Sequence, residues 1–166
     1  MSLHILLVDD AASSITTAAA RFRISQPGFP SIQLTVARTW KAARTRIVCD
    51  AFDAIVLRSR VRDAAAADML AALRGLPHPP VIVLLPDADL DVAMRLVRAG
   101  ADDCVMLHFD DWAVELHRAI ARLTAPACRA GEGAETTGGA NEHAAVLAAL
   151  LLHRAPAWTR GAATAA

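Results

Sequence analysis

The chain has 166 residues, and its 17 Lys+Arg balance 17 Asp+Glu exactly to a formal net charge of +0. That length fits one domain, or one domain with a tail, and is enough to bury a full core. The neutral balance excludes a general binder of nucleic acid or of an anionic membrane, because both need a positive field. In chain order, His4 to Val8 is an unbroken apolar run of the kind that forms a fully buried strand, ended by Asp9 and Asp10. A helix is expected from Ala11 to about Arg23, broken by Pro27-Gly28-Phe29-Pro30. Ile32 to Val36 alternates as a second strand, and Thr39 can cap a helix to about Cys49. Ala54 to Leu57 is a third strand. Asp63 is expected to cap a helix through Arg74, where Gly75, Pro77, Pro79 and Pro80 stop the chain. Val81 to Leu85 is the fourth strand, Asp87 to Ala99 the fourth helix with Gly100 at its C′ position, and Cys104 to Leu107 the fifth strand. Asp110 or Asp111 caps a last, fifth helix through Leu123.

Strands that are apolar on both faces and alternate with helices predict a doubly wound α/β fold. Its five-stranded parallel sheet is covered on both sides, with right-handed crossovers. The functional crevice of such a sheet lies beyond the carboxyl ends of the strands. Residues 1–124 form this domain. Residues 125–140 read as a Gly/Ala-rich linker. Residues 141–166 read as a short C-terminal helix, through Arg154, followed by a disordered tail. Leu147, Leu150 and Leu151 give that helix an apolar stripe that is marginal alone in water.

Cys49, Cys104 and Cys128 are odd in number and have no CxxC spacing, so they are expected to be reduced thiols. No basic-then-apolar leader opens the chain, and its longest apolar run is far shorter than a membrane span. A soluble, cytoplasmic protein is expected.

The residues at the strand ends carry a family resemblance. Leu6-Leu7-Val8-Asp9-Asp10 resembles the opening of a response-regulator receiver domain, the phosphate-accepting module of two-component and phosphorelay signalling. The likeness continues through Phe52 to Leu57, Met69-Leu70, Leu73-Arg74, Pro80 to Leu84, Ala99 to Asp103, and Phe109 followed by Glu115-Leu116 and Arg118. It spans residues 4–123 and implies the flavodoxin-like (βα)5 fold with strand order 2-1-3-4-5.

The resemblance also implies a site, and here that site is broken. The family binds Mg²⁺ at two acidic residues after strand one, which Asp9 and Asp10 match. Its phosphoacceptor aspartate, at the end of strand three, falls on Arg58. Its Thr/Ser after strand four falls on Leu85, and its lysine after strand five falls on Leu107, with His108 in place of the following proline. The aromatic switch position is Cys104. The proline and glycine after strand three are replaced by Arg62 and Ala66. A guanidinium cannot form an acyl phosphate. Lys41 is the sole lysine and lies in the second helix, away from the strand ends. Asp53 begins strand three at the opposite edge and is no substitute acceptor. The chain therefore resembles a pseudo-receiver that does not autophosphorylate.

Asp9 and Asp10 need a counter-charge, which Arg58 is placed to supply as a bidentate donor in the metal's place. The alternative is that Arg58 turns out to solvent. No cofactor is expected, Mg²⁺ remaining an option only at Asp9 and Asp10. The expected partner is a protein or a second copy, as a homodimer. It would bind the face of the fourth helix, fifth strand and fifth helix, through Arg95, Arg98, Trp112, Arg118 and Arg122. The bland readings of these residues are a solvated arginine stripe and a core tryptophan packed on Phe109. His108 reads as a solvated loop histidine before a pH sensor. His143 and His153 are not metal-spaced, and Met94 and Met106 read as core.

Three functions stay open on sequence. The first is a non-enzymatic, phosphorylation-independent interaction module. The second is an active single-domain regulator with an unconventional acceptor. The third is a small ligand binder or enzyme on the same fold. Against the third, no glycine-rich phosphate loop, nucleophile–histidine pair or metal-ligand cluster is visible.

Overall fold

The computed structural model describes residues 2–10, 30–107 and 112–125. The chain divides into two units, Met1–Gly133 and Ala134–Ala166, and the second lies wholly outside the described residues. So do the helix expected over 11–23, His108 to Asp111, Cys128, His143 and His153.

The strands are β1 (Ser2–Val8), β2 (Ser31–Ala37), β3 (Ala54–Arg58), β4 (Arg60–Val61), β5 (Ala64–Ala65), β6 (Val81–Leu85) and β7 (Asp103–Met106). The helices are α1 (Trp40–Cys49), α2 (Ala66–Leu73), α3 (Leu90–Ala99) and α4 (Trp112–Thr124). Five strands form one parallel sheet in the order β2-β1-β3-β6-β7. With the two short strands β4 and β5 set aside, this is the order 2-1-3-4-5 expected from the sequence.

The apolar runs explain the layering. Ile5 to Val8, Ala54 to Leu57 and Val81 to Leu85 are buried along their whole length, as strands covered on both faces must be. Alternation sends Ile5, Leu7, Val56, Ile82, Leu84 and Val105 to one face, where they pack with Leu116, Ala119 and Ile120 of α4. Cys104 points the other way, and its Sγ lies 3.8 Å from the Ala93 carbonyl of α3. No helix among the described residues is long and apolar enough to cross a membrane.

Two carboxylates fasten the amino edge of the sheet. Asp53 donates its backbone N–H to the His4 carbonyl (2.8 Å) and accepts from the His4 N–H at Oδ2 (2.9 Å). Asp102 does the same with Val81, at 2.8 and 2.7 Å. Each satisfies a strand-end donor that would otherwise be unpaired. Asp53 is thus held at the edge opposite the crevice.

The segment after β3 departs from expectation. Asp63 does not cap the helix that follows it. That helix starts at Ala66, with Ala65 at its N-cap and no side-chain cap bond. Arg60 and Val61 instead pair antiparallel with Ala65 and Ala64, so Asp63 falls in the turn of a small hairpin. From there its carboxylate reaches a different helix, accepting from the N–H groups of Trp40 (2.8 Å) and Lys41 (3.0 Å) at the start of α1. Those two backbone bonds hold the Asp63 carboxyl below its ordinary value. Thr39 Oγ1 adds a local cap, accepting from the Ala42 N–H at 3.2 Å. The helix expected from Asp87 starts at Leu90 with Asp89 as its cap, and Gly100 closes it at φ 115°, a left-handed conformation that suits glycine.

Candidate functional site

Parallel pairing brings the carboxyl ends of β1, β3, β6 and β7 to one edge. Val8 pairs with Leu57, Arg58 with Leu84, and Leu85 with Met106. Asp9, Asp10, Arg58, Leu85 and Leu107 are thereby gathered from four separate stretches of sequence.

Asp9 is buried, 1% exposed, and its backbone N–H donates to the Ala37 carbonyl at 3.0 Å, continuing the β1–β2 ladder. Burial of a carboxylate demands compensation. Part of it comes from Arg58, whose Nη1 donates to Asp9 Oδ2 at 3.3 Å. The arginine side chain is 23% exposed and the aspartate side chain 2%, so the contact is largely shielded from solvent. Arg58 therefore faces into the crevice and engages Asp9. Asp10 is half-buried beside it.

Leu85 is buried, and Leu107 is half-buried against the apolar cluster that α4 covers. Neither presents a polar atom to a phosphoryl oxygen. Lys41 offers none at this site either, although its position needs correcting. It stands in the first turn of α1, just beyond the carboxyl end of β2, and so nearer the strand ends than expected. It remains on the flank of the outermost strand, with β1 lying between β2 and β3.

Mg²⁺ takes octahedral oxygen donors, typically carboxylates and waters. The donor set here is two carboxylates with a cationic guanidinium at the position a third carboxylate would need. It does not fit the ion. Among the described residues no group of three or more His, Cys, Asp or Glu could hold a metal.

The other predicted residues are dispersed. Arg95 is exposed and donates from Nε to the Asp91 carbonyl at 3.3 Å. Arg98 is exposed in the last turn of α3. Arg118 pairs with Glu115 one turn earlier, at 2.8 Å. Arg122 pairs with the buried carboxylate of Asp103. Trp112 is half-buried and packs on the apolar cluster. Met106 is buried and Met94 half-buried.

Two histidines and one thiol carry structural duties that spacing alone does not reveal. His117 is buried, with Nδ1 2.7 Å from the Ala113 carbonyl. His4 sits over Phe52 at a 4.6 Å centroid separation, with Nε2 2.8 Å from Thr35 Oγ1. Burial, reinforced by the charge of Asp103, pushes the Cys104 thiol up to about 12.

No family model matches the chain, nor does any curated protein. Solved structures do match. The receiver domain of Francisella response regulator 1452 aligns with TM-score 0.64 at 22% identity, covering 74% of this chain and 96% of that one. The receiver domain of the Pseudomonas aeruginosa sensor histidine kinase PA1611, which has a magnesium ion coordinated in its active-site cleft, aligns with TM-score 0.63 at 21% identity, covering 75% and 98%. That of a Syntrophus aciditrophicus signal transduction histidine kinase aligns with TM-score 0.62 at 19% identity, covering 82% and 98%. The fold is that of a receiver domain.

Proposed function

We propose that this chain is a receiver-type signalling module of a two-component or phosphorelay system that works by protein–protein contact without phosphorylation or Mg²⁺. One observation carries this reading: Arg58 stands at the end of β3, where the fold's acceptor would be, and its guanidinium engages the buried Asp9. A phosphoryl group arriving there would meet a guanidinium at the acceptor position and leucines in place of the two charge-stabilising side chains. Arg58 offsets one of the two acidic charges from within the chain, so in this reading the pocket does not depend on a transient ligand for that counter-charge. The output surface in this reading is the face of α3, β7 and α4, which presents Arg95, Arg98 and Arg118 to a protein partner or a second copy. The protein is then a non-enzymatic, cytoplasmic component.

The test is incubation of the full chain with Mg²⁺ and a small-molecule phosphodonor, followed by intact mass measurement. The expected spectrum is unchanged. A stoichiometric phosphoryl adduct would overturn the reading in favour of an active regulator with an unconventional acceptor.

A further inference from the structure

A second feature lies away from the carboxyl-edge pocket. A groove of about 570 Å³ runs along α1 and is bounded by the end of α2; Trp40, Lys41, Arg44, Val48, Leu73 and Leu76 are among its lining residues. Val48 is 76% exposed and Leu76 is 43% exposed, and these are the large apolar side chains left exposed among the described residues. Both belong to this one groove. Isolated exposed aliphatics are ordinary, but here both line one concavity and give it apolar surface.

The groove carries a net positive charge, with Lys41 and Arg44 against the single carboxylate of Asp63. The helix sequence WKAARTRIVC contains three cations and no acid. Arg46 is taken up by Asp50 at 3.7 Å. Lys41 and Arg44, the cations that line the groove, make no ion pair among the described residues. The one carboxylate in the lining, Asp63, has both oxygens committed to the backbone N–H groups of Trp40 and Lys41. It serves the helix start rather than the neighbouring side chains.

We infer that this groove binds an acidic, amphipathic segment of a protein partner. Apolar side chains of that segment fill the space between Val48 and Leu76, and its carboxylates meet Lys41 and Arg44. The complementarity is directional. A basic segment would bring like charges together, and a neutral one would leave two cations partly desolvated without partners. The surface is separate from the face of α3, β7 and α4, so the inference stands whether or not the phosphorylation-independent reading does.

A random-peptide display library selected against the full chain tests this. Enriched peptides are expected to be rich in Asp or Glu interleaved with Leu, Ile or Phe, and to bind in a saturable, salt-weakened manner. The Lys41→Glu/Arg44→Glu double variant is expected to lower the affinity of a selected peptide by at least roughly tenfold, as losing two interfacial ion pairs implies. Val48→Ser is expected to lower it independently. All three substitutions are at exposed positions, and thermal unfolding verifies that each variant folds. Enrichment of basic or neutral peptides, or no enrichment, overturns the inference. So does binding to either variant as tight as to the wild type, or a self-association that Val48→Ser abolishes.

Discussion

The Asp9–Arg58 contact can be measured by a double-mutant cycle of Asp9→Ala, Arg58→Ala and the double variant. Opposite unit charges 3.3 Å apart attract by about 5 kcal/mol at an effective dielectric near 20. Solvent reaching the Arg58 side chain, which is 23% exposed, screens part of that attraction, while each partner's desolvation falls in its own single-variant cost and cancels from the coupling. The contact is also longer than the 2.7–2.9 Å typical of strong charge-assisted bonds. A coupling energy of about 1–3 kcal/mol follows. Arg58→Ala alone is expected to destabilise by a similar or slightly larger amount, because it deprives a buried carboxylate of a counter-charge. Urea denaturation followed by circular dichroism reads all four proteins. Their m-values should agree, so that midpoint shifts report stability alone. Coupling below about 0.3 kcal/mol, the level of additive independent sites, would refute the claim that Arg58 serves as the counter-charge of Asp9.

Arg58→Asp should replace the cation that meets Asp9 with a third carboxylate and make the site metal-seeking. Millimolar Mg²⁺ is expected to raise the melting temperature of that variant and to leave the wild type unmoved, as differential scanning fluorimetry would show. The Asp63 cap should be pH-dependent. Its lowered folded-state value means that its stabilisation is fully present above the ordinary 3.8 and is lost as pH falls through the lower folded value. Asp63→Asn should therefore cost stability at neutral pH, by about 0.5–1 kcal/mol for a cap at an exposed site, and that difference should close in acid denaturation curves. Among the described thiols, Cys49 is exposed and Cys104 buried. Brief alkylation of the native protein at neutral pH, followed by peptide mapping, should label Cys49 and spare Cys104, whose thiol at about 12 supplies almost no thiolate.

The layered sheet was legible because its signal is redundant. Runs such as Ile5–Val8 and Val81–Leu85 are apolar at every position, which only a strand covered on both faces satisfies. The strand ends then follow, and with them the convergence of Asp9, Arg58, Leu85 and Leu107. Which acid Arg58 engages was not legible, since Asp9 and Asp10 are adjacent and identical in type. Backbone geometry decides it: Asp9 continues the ladder to Ala37 and turns inward, while Asp10 stays half-buried. Asp63 was misread for a related reason. A carboxylate a few residues before a helix is the ordinary local N-cap signal, but the hairpin between β4 and β5 turns it toward a helix more than twenty residues earlier in the chain. The groove along α1 was also hidden. It depends on which side chains α2 leaves uncovered, and the periodicity of one helix does not report that.

The substitutions at the carboxyl edge are physically consistent with one another. Removing an acceptor carboxylate while keeping both acids after β1 would leave a concentrated negative charge, and Asp9 is too buried to be relieved by water. A neutral residue at position 58 would take away the cation that meets Asp9, whereas arginine supplies it from within the chain and offsets one of the two charges. A hydroxyl or amine at positions 85 and 107 would need a partner of its own in a half-closed crevice. Leucine at 85 and 107 removes that requirement and adds apolar contact, with Leu107 packing on the cluster beneath α4. Substitution at random would leave some of these needs unmet, yet no buried side-chain nitrogen or oxygen among the described residues lacks a hydrogen-bond partner. In the proposed phosphorylation-independent reading, such a pocket gains stability from positions that a phosphate-accepting pocket must hold in readiness for its ligand.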